Sequence, residues 1–177
     1  GIFLILAAVF IIAAIAVPNF ASKRNLMNIL IAISCTTVLA FGATFIIILG
    51  HINIAYGSQI AFIGCAAVLV NVATGSVWAA IPVALVLGLF FGGLSGFFIT
   101  KFNTPAFIMT LALTEACRGG AVLITGGTTV QGMTPDFAFV GQGYVGPVPM
   151  SIIIMAICFA IMWVILNKTV FGRHVYA

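Results

Sequence analysis

Gly50-His51-Ile52-Asn53-Ile54-Ala55-Tyr56-Gly57-Ser58-Gln59 is a polar, glycine-bounded break inside a run, Asn25 to Thr100, that contains no Asp, Glu, Lys or Arg. A water-soluble domain cannot cover itself from such a run. A membrane protein can, because lipid is its solvent and a charge at mid-bilayer costs about 2.5–3.5 kcal/mol on insertion scales. Irregular backbone at membrane depth persists only where it is buried in protein or lines a water-filled cavity. Interrupted apolar segments are therefore the best pointer in a sequence to a transport site. The run decides that the chain lives in a membrane, and the break decides where to look for its work.

The composition agrees. Charged residues make up 5% of the chain, against about 25% in soluble domains. Mean hydropathy is +1.37 and 64% of residues are hydrophobic. The net charge of +4 comes from scattered cations, which excludes the clustered patch that nucleic-acid binding needs. Cys35, Cys65, Cys117 and Cys158 each sit in an apolar stretch with no CxxC spacing. They read as small buried hydrophobes rather than metal ligands or a disulfide framework. The chain begins Gly1-Ile2-Phe3-Leu4 and ends without a polar tail, so both ends are expected to be edges of a longer protein.

A membrane-spanning helix needs about 20 apolar residues. The pattern predicts an all-α, polytopic bundle in a single transmembrane domain, with about six segments near 2–17, 28–49, 60–73, 77–100, 105–125 and 149–167. Pro18-Asn19 ends the first, and a polar connector, Asn19 to Asn25, holds Lys23 and Arg24. The 60–73 stretch is short: it is either a half-helix or a span that begins inside the break. Thr104-Pro105 reads as an N-cap followed by Pro at the first helical position. Gly126-Gly127 stops that helix, and 126–148 reads as a long loop. With the N-terminus inside, inner loops carry Lys101, Lys168 and Arg173 and outer ones Lys23 and Arg24, a slight bias in the positive-inside sense.

Few residues are equipped for chemistry. HExxH, GxSxG and GxxxxGK[ST] do not occur, so no catalytic residue and no metal site are expected. In the break, Asn53, Ser58 and Gln59 offer amide or hydroxyl hydrogen bonds, and His51 and Tyr56 add rings with polar tips. Such groups without a fixed charge suit a neutral polyol, so these five are the candidates for a translocation path. A plain inter-helix loop is the competing reading. Glu115 and Arg118 are three apart and share a helix face. They are expected to form an intramembrane ion pair, the alternatives being contact with substrate or Arg118 reaching to the interface. Gly88, Gly92 and Gly96 form overlapping GxxxG motifs, a face that lets another helix backbone approach.

Four stretches, in order and spacing, are similar to one family. They are Pro18-Asn19-Phe20 with Asn25-Leu26-Met27-Asn28-Ile29-Leu30; Gly42 to Gln59; Thr104-Pro105-Ala106-Phe107-Ile108-Met109-Thr110-Leu111 followed by Arg118-Gly119; and Gly141-Gln142-Gly143-Tyr144 with Asn167 to Ala177. Together they resemble the membrane permease subunit of bacterial sugar ABC importers, the ribose type. The resemblance implies a permease that pairs with a second copy in the bacterial inner membrane, N-terminus in the cytoplasm. It implies cytoplasmic ATPase subunits that use ATP, a periplasmic sugar-binding protein, surrounding lipid, no nucleic acid, and no cofactor held by this chain. It also implies that a glycine-rich coupling segment follows Tyr176-Ala177, so that this chain is the N-terminal part.

One departure bears on function. The family usually has Gly-Ile-Asp-Leu-Ser where this chain has His51-Ile52-Asn53-Ile54-Ala55. An amide replaces a carboxylate, so the solute or the gate is expected to differ from ribose. The expected activity is ATP-driven import of a monosaccharide or similar neutral polyol by alternating access. The competing expectations are a permease for another small solute such as an amino acid, and a secondary transporter or channel. A structural scaffold fits the polar break and the intramembrane charges less well.

Overall fold

The computed structural model describes residues 1–176 and is all-helical in character. Its helices are α1 (Ile2–Ala16), α2 (Lys23–Ile48), α3 (Tyr56–Thr74), α4 (Val77–Lys101), α5 (Ala106–Thr125), α6 (Pro135–Gln142), α7 (Met150–Lys168) and α8 (Val170–Tyr176). Strands β1 (Tyr144–Val145) and β2 (Val148–Pro149) make a small antiparallel hairpin with Tyr144 opposite Pro149. Among the described residues five helices, α2, α3, α4, α5 and α7, are long and apolar enough to cross a membrane, and α1 is a shorter apolar helix.

Local chemistry explains where the boundaries depart from expectation. α2 begins at Lys23 rather than near 28, because Ser22 is extended and its side chain accepts the Asn25 N–H at 3.3 Å. That is an N-cap satisfying one of the orphan donors of the first turn. α3 begins at Tyr56, inside the break, and not at 60. At α5 the cap is Pro105, not Thr104. It makes no side-chain bond, and its carbonyl accepts the N–H groups of Ile108 and Met109. The expected loop at 126–148 holds α6, whose Thr134–Pro135 start has the cap-then-proline order. The residues that follow the last span, including Arg173 and His174, form the short helix α8.

α3 packs against α4 and α5, while α2 packs against α7 and α8. Side chains at these contacts are mostly small: Ala67, Ala80, Ala106 and Cys117 are buried, as are Ser34, Ser95 and Thr110. Without a hydrophobic drive between helices in lipid, close backbone approach has to supply the packing energy. The buried hydroxyls cost little because they bond back to their own helix, Ser34 to the Leu30 carbonyl at 2.7 Å and Ser95 to that of Phe91 at 2.8 Å. Aromatic pairs fill the remaining gaps, Phe62 with Phe91 at 5.5 Å and Phe41 with Phe159 at 5.4 Å between centroids. α1 is exposed along nearly its whole length.

Candidate functional site

Residues 51–55 are non-helical, as expected of part of the break. α2 stops at Ile48, and Gly50 takes φ +75, a conformation that side chains rarely adopt. The following residues alternate: Ile52 and Ile54 are exposed, Asn53 is half-buried and Ala55 is fully buried. That period of two is what an open backbone produces.

The open backbone has a geometric purpose. Gly50, His51 and Ile52 share a cleft with Thr104 to Phe107 at the start of α5. Ala55 packs against Leu113 and Cys117, further along the same helix. The chain thus climbs about ten residues of α5, roughly 15 Å of helix axis, between Gly50 and Ala55. Six helical residues would cover only about 9 Å. α3 therefore starts inside the bundle. At its far end Asn71 meets Thr134, beyond the end of α5, so α3 and α5 run parallel.

The turn into α3 is held by Asn53, whose Oδ1 accepts the Ala55 N–H at 2.8 Å. This bond replaces a side-chain cap, which Ala55 cannot supply. Tyr56 is half-buried, and its hydroxyl oxygen is buried without a hydrogen-bond partner. Ser58 and Gln59 are half-buried on the first turn of α3. His51 is exposed and lines the cleft, which has a volume of about 570 Å³ and also takes in Thr100, Asn103 and Thr104. Of the five candidates the fold brings only His51 into this cleft; the others lie at or beyond the turn. Asn103 holds φ +49, a left-handed conformation that Asn tolerates.

Other singled-out residues take different places. Glu115 and Arg118 are both exposed on α5, and among the described residues no salt bridge joins them. Gly88, Gly92 and Gly96 are exposed on α4, and a Cβ at any of them would meet nothing within 4 Å. The face of α4 that packs within this chain bears Ala80 and Ser95, which are buried, with Phe91 and Leu94 packed at the core. Among the cysteines, Cys117 is buried and Cys35 is exposed.

One polar cluster escaped the reading of the sequence. Asn71 is fully buried, and its Nδ2 donates to Thr134 Oγ1 at 2.9 Å while its Oδ1 accepts the Thr134 N–H at 2.9 Å. Thr134 Oγ1 also accepts the Phe137 N–H at 3.4 Å, capping α6. The signals were present: an amide, Asn71, in the apolar second half of α3, and a Thr-Pro-Asp helix start.

Residues 25–177 match the family described as branched-chain amino acid transport system / permease component. The chain is 35% identical to the ribose import permease protein RbsC of Haemophilus influenzae over 97% of its own length and 55% of that protein's. To the Bacillus subtilis protein of the same name it is 34% identical, over 100% and 56% respectively. It is also 35% identical to the L-arabinose transport system permease protein AraH of Escherichia coli, over 100% of this chain and 54% of that one. The chain thus spans about half the length of the curated relatives it matches. No solved structure matches it.

Proposed function

This chain belongs to the branched-chain amino acid transport system / permease component family, and from that premise we propose that it is part of the transmembrane subunit of an ATP-driven importer for a monosaccharide or similar neutral polyol. The observation that carries the reading is the non-helical climb from Gly50 to Ala55 alongside α5. Backbone opened at that depth needs polar partners, and a transported solute in a wet path can share them. The break has no Asp, Glu, Lys or Arg, and a neutral amide can donate to and accept from sugar hydroxyls without desolvating a charge. Relatives named for ribose and L-arabinose support a sugar.

In this reading the N-terminus and α8 lie in the cytoplasm of a bacterium, and α6 with the β1–β2 hairpin lies outside its inner membrane. Cytoplasmic ATPase subunits bind and hydrolyse ATP. Their closure rocks two permease subunits between inward- and outward-facing states, and a periplasmic binding protein delivers the solute. The permease itself performs no bond chemistry. The family description favours one other solute class, branched-chain amino acids. Uptake of labelled ribose, L-arabinose and leucine by cells expressing the full-length permease from its intact operon separates the two. Energy-dependent uptake of a sugar and not of leucine is expected. Leucine uptake alone would replace the sugar reading with the amino-acid one.

A further inference from the structure

The corner between α7 and α8 plays no part in the transport reading and has a chemistry of its own. α7 ends at Lys168 and Thr169 is extended. The Gly172 N–H then donates to Thr169 Oγ1 at 3.2 Å, starting α8. A Cβ on Gly172 would run into the carbonyl oxygens of Leu166 and Ile165. α8 therefore lies hard against the end of α7, with Val175 buried. Its exposed side combines Val170 and Phe171 with Arg173 and His174. Apolar and cationic groups together on one short helix suit a segment lying in the membrane interface.

Beside this corner α2 and α7 leave a crevice of about 190 Å³, walled by Phe41, Phe45, Phe159, Met162 and Leu166. Trp163 stands at its edge, half exposed, and the Lys168 Nζ lies 5.8 Å from the centroid of its ring. Trp and Lys at a helix end mark the headgroup level of a bilayer. The charge here is of one sign. The chain's two acidic side chains are Glu115 and Asp136, on α5 and α6; α2, α7 and α8 contain none.

We propose that this corner binds one anionic phospholipid, with an acyl chain in the α2–α7 crevice and the phosphate drawn to Lys168 and Arg173. A zwitterionic headgroup would bring its own cation to the same place, so charge complementarity favours a lipid with net negative charge. The proposal rests on membrane embedding alone and stands or falls independently of the solute.

The test uses the purified full-length permease, delipidated in detergent and titrated with phosphatidylglycerol or phosphatidylcholine of identical acyl chains. Native mass spectrometry reads the lipid adducts. Phosphatidylglycerol is expected to bind preferentially, and Lys168→Gln and Arg173→Gln are each expected to weaken it about fivefold. Lys168→Arg keeps the charge and should retain binding. Lys101→Gln, at the end of α4, is the control and should leave binding unchanged. Equal binding of the two lipids overturns the proposal. So does an effect of Lys101→Gln as large as that of Lys168→Gln, because the preference would then belong to the membrane surface in general. Lys168 is exposed, so its substitution leaves the fold intact.

Discussion

Asn53 holds the start of α3 through a single side-chain bond, Oδ1 to the Ala55 N–H at 2.8 Å. Alanine there leaves the N–H of buried Ala55 without its partner, at a cost of about 1–3 kcal/mol. Asn53→Ala is expected to lower the melting temperature of the full-length permease and to reduce solute uptake more than the melting shift explains. Asn53→Asp retains an acceptor at the same place and is expected to keep the turn, so its melting temperature should match the parent. Comparing uptake by the two variants then separates holding the turn from meeting the solute. Wild-type uptake by Asn53→Ala would reduce the break to a connector. The adjacent Tyr56 hydroxyl is buried with no hydrogen-bond partner.

Between elements, the Asn71–Thr134 cluster does for α3 and α6 what small-residue packing does elsewhere. Its bonds cross 63 residues of sequence and fix the α6 cap and the end of α3 to one another. Buried amides in this setting depend on complete satisfaction, because an orphaned donor or acceptor costs about 1–3 kcal/mol. Asn71→Ala and Thr134→Ala are each expected to destabilise the protein. A double-mutant cycle on thermal unfolding should return a coupling of about 1 kcal/mol. Additive losses would mean that the two side chains act on stability separately.

For the molecule as a whole, the most telling surface is the one this chain leaves uncovered. Gly88, Gly92 and Gly96 face open space, and Glu115 and Arg118 are exposed on a membrane-length helix. A charge facing lipid at mid-depth costs about 2.5–3.5 kcal/mol. We infer that both faces meet protein or water in the complete permease, which in its relatives is nearly twice as long as this chain. Leu at Gly92 meets nothing within 4 Å of its Cβ here. Gly92→Leu is therefore expected to leave the packing of α3, α4 and α5 undisturbed, and to destabilise the full-length protein or its dimer by wedging a neighbouring helix away. Unchanged stability, assembly and uptake would remove the packing role.

What the amino-acid order decided by itself is what depends on neighbours along the chain. The charge-free run from Asn25 to Thr100 placed the protein in a membrane, because the transfer cost of each residue adds without reference to fold. The glycine-bounded break located the interrupted segment, since Gly50 marks its own backbone freedom. Boundaries slipped where a single side chain set them, as at Ser22 and Asn53, because one hydrogen bond outweighs several residues of propensity in placing a first turn. Only the tertiary structure decided that Ala55 rests against Leu113 and Cys117, that Asn71 finds Thr134, and that the glycine stripe of α4 looks away from its own chain. Those outcomes depend on which faces meet across long separations. In lipid, apolarity cannot select those faces, because an apolar helix side gains nothing by exchanging lipid for protein, and only shape and a few polar groups discriminate.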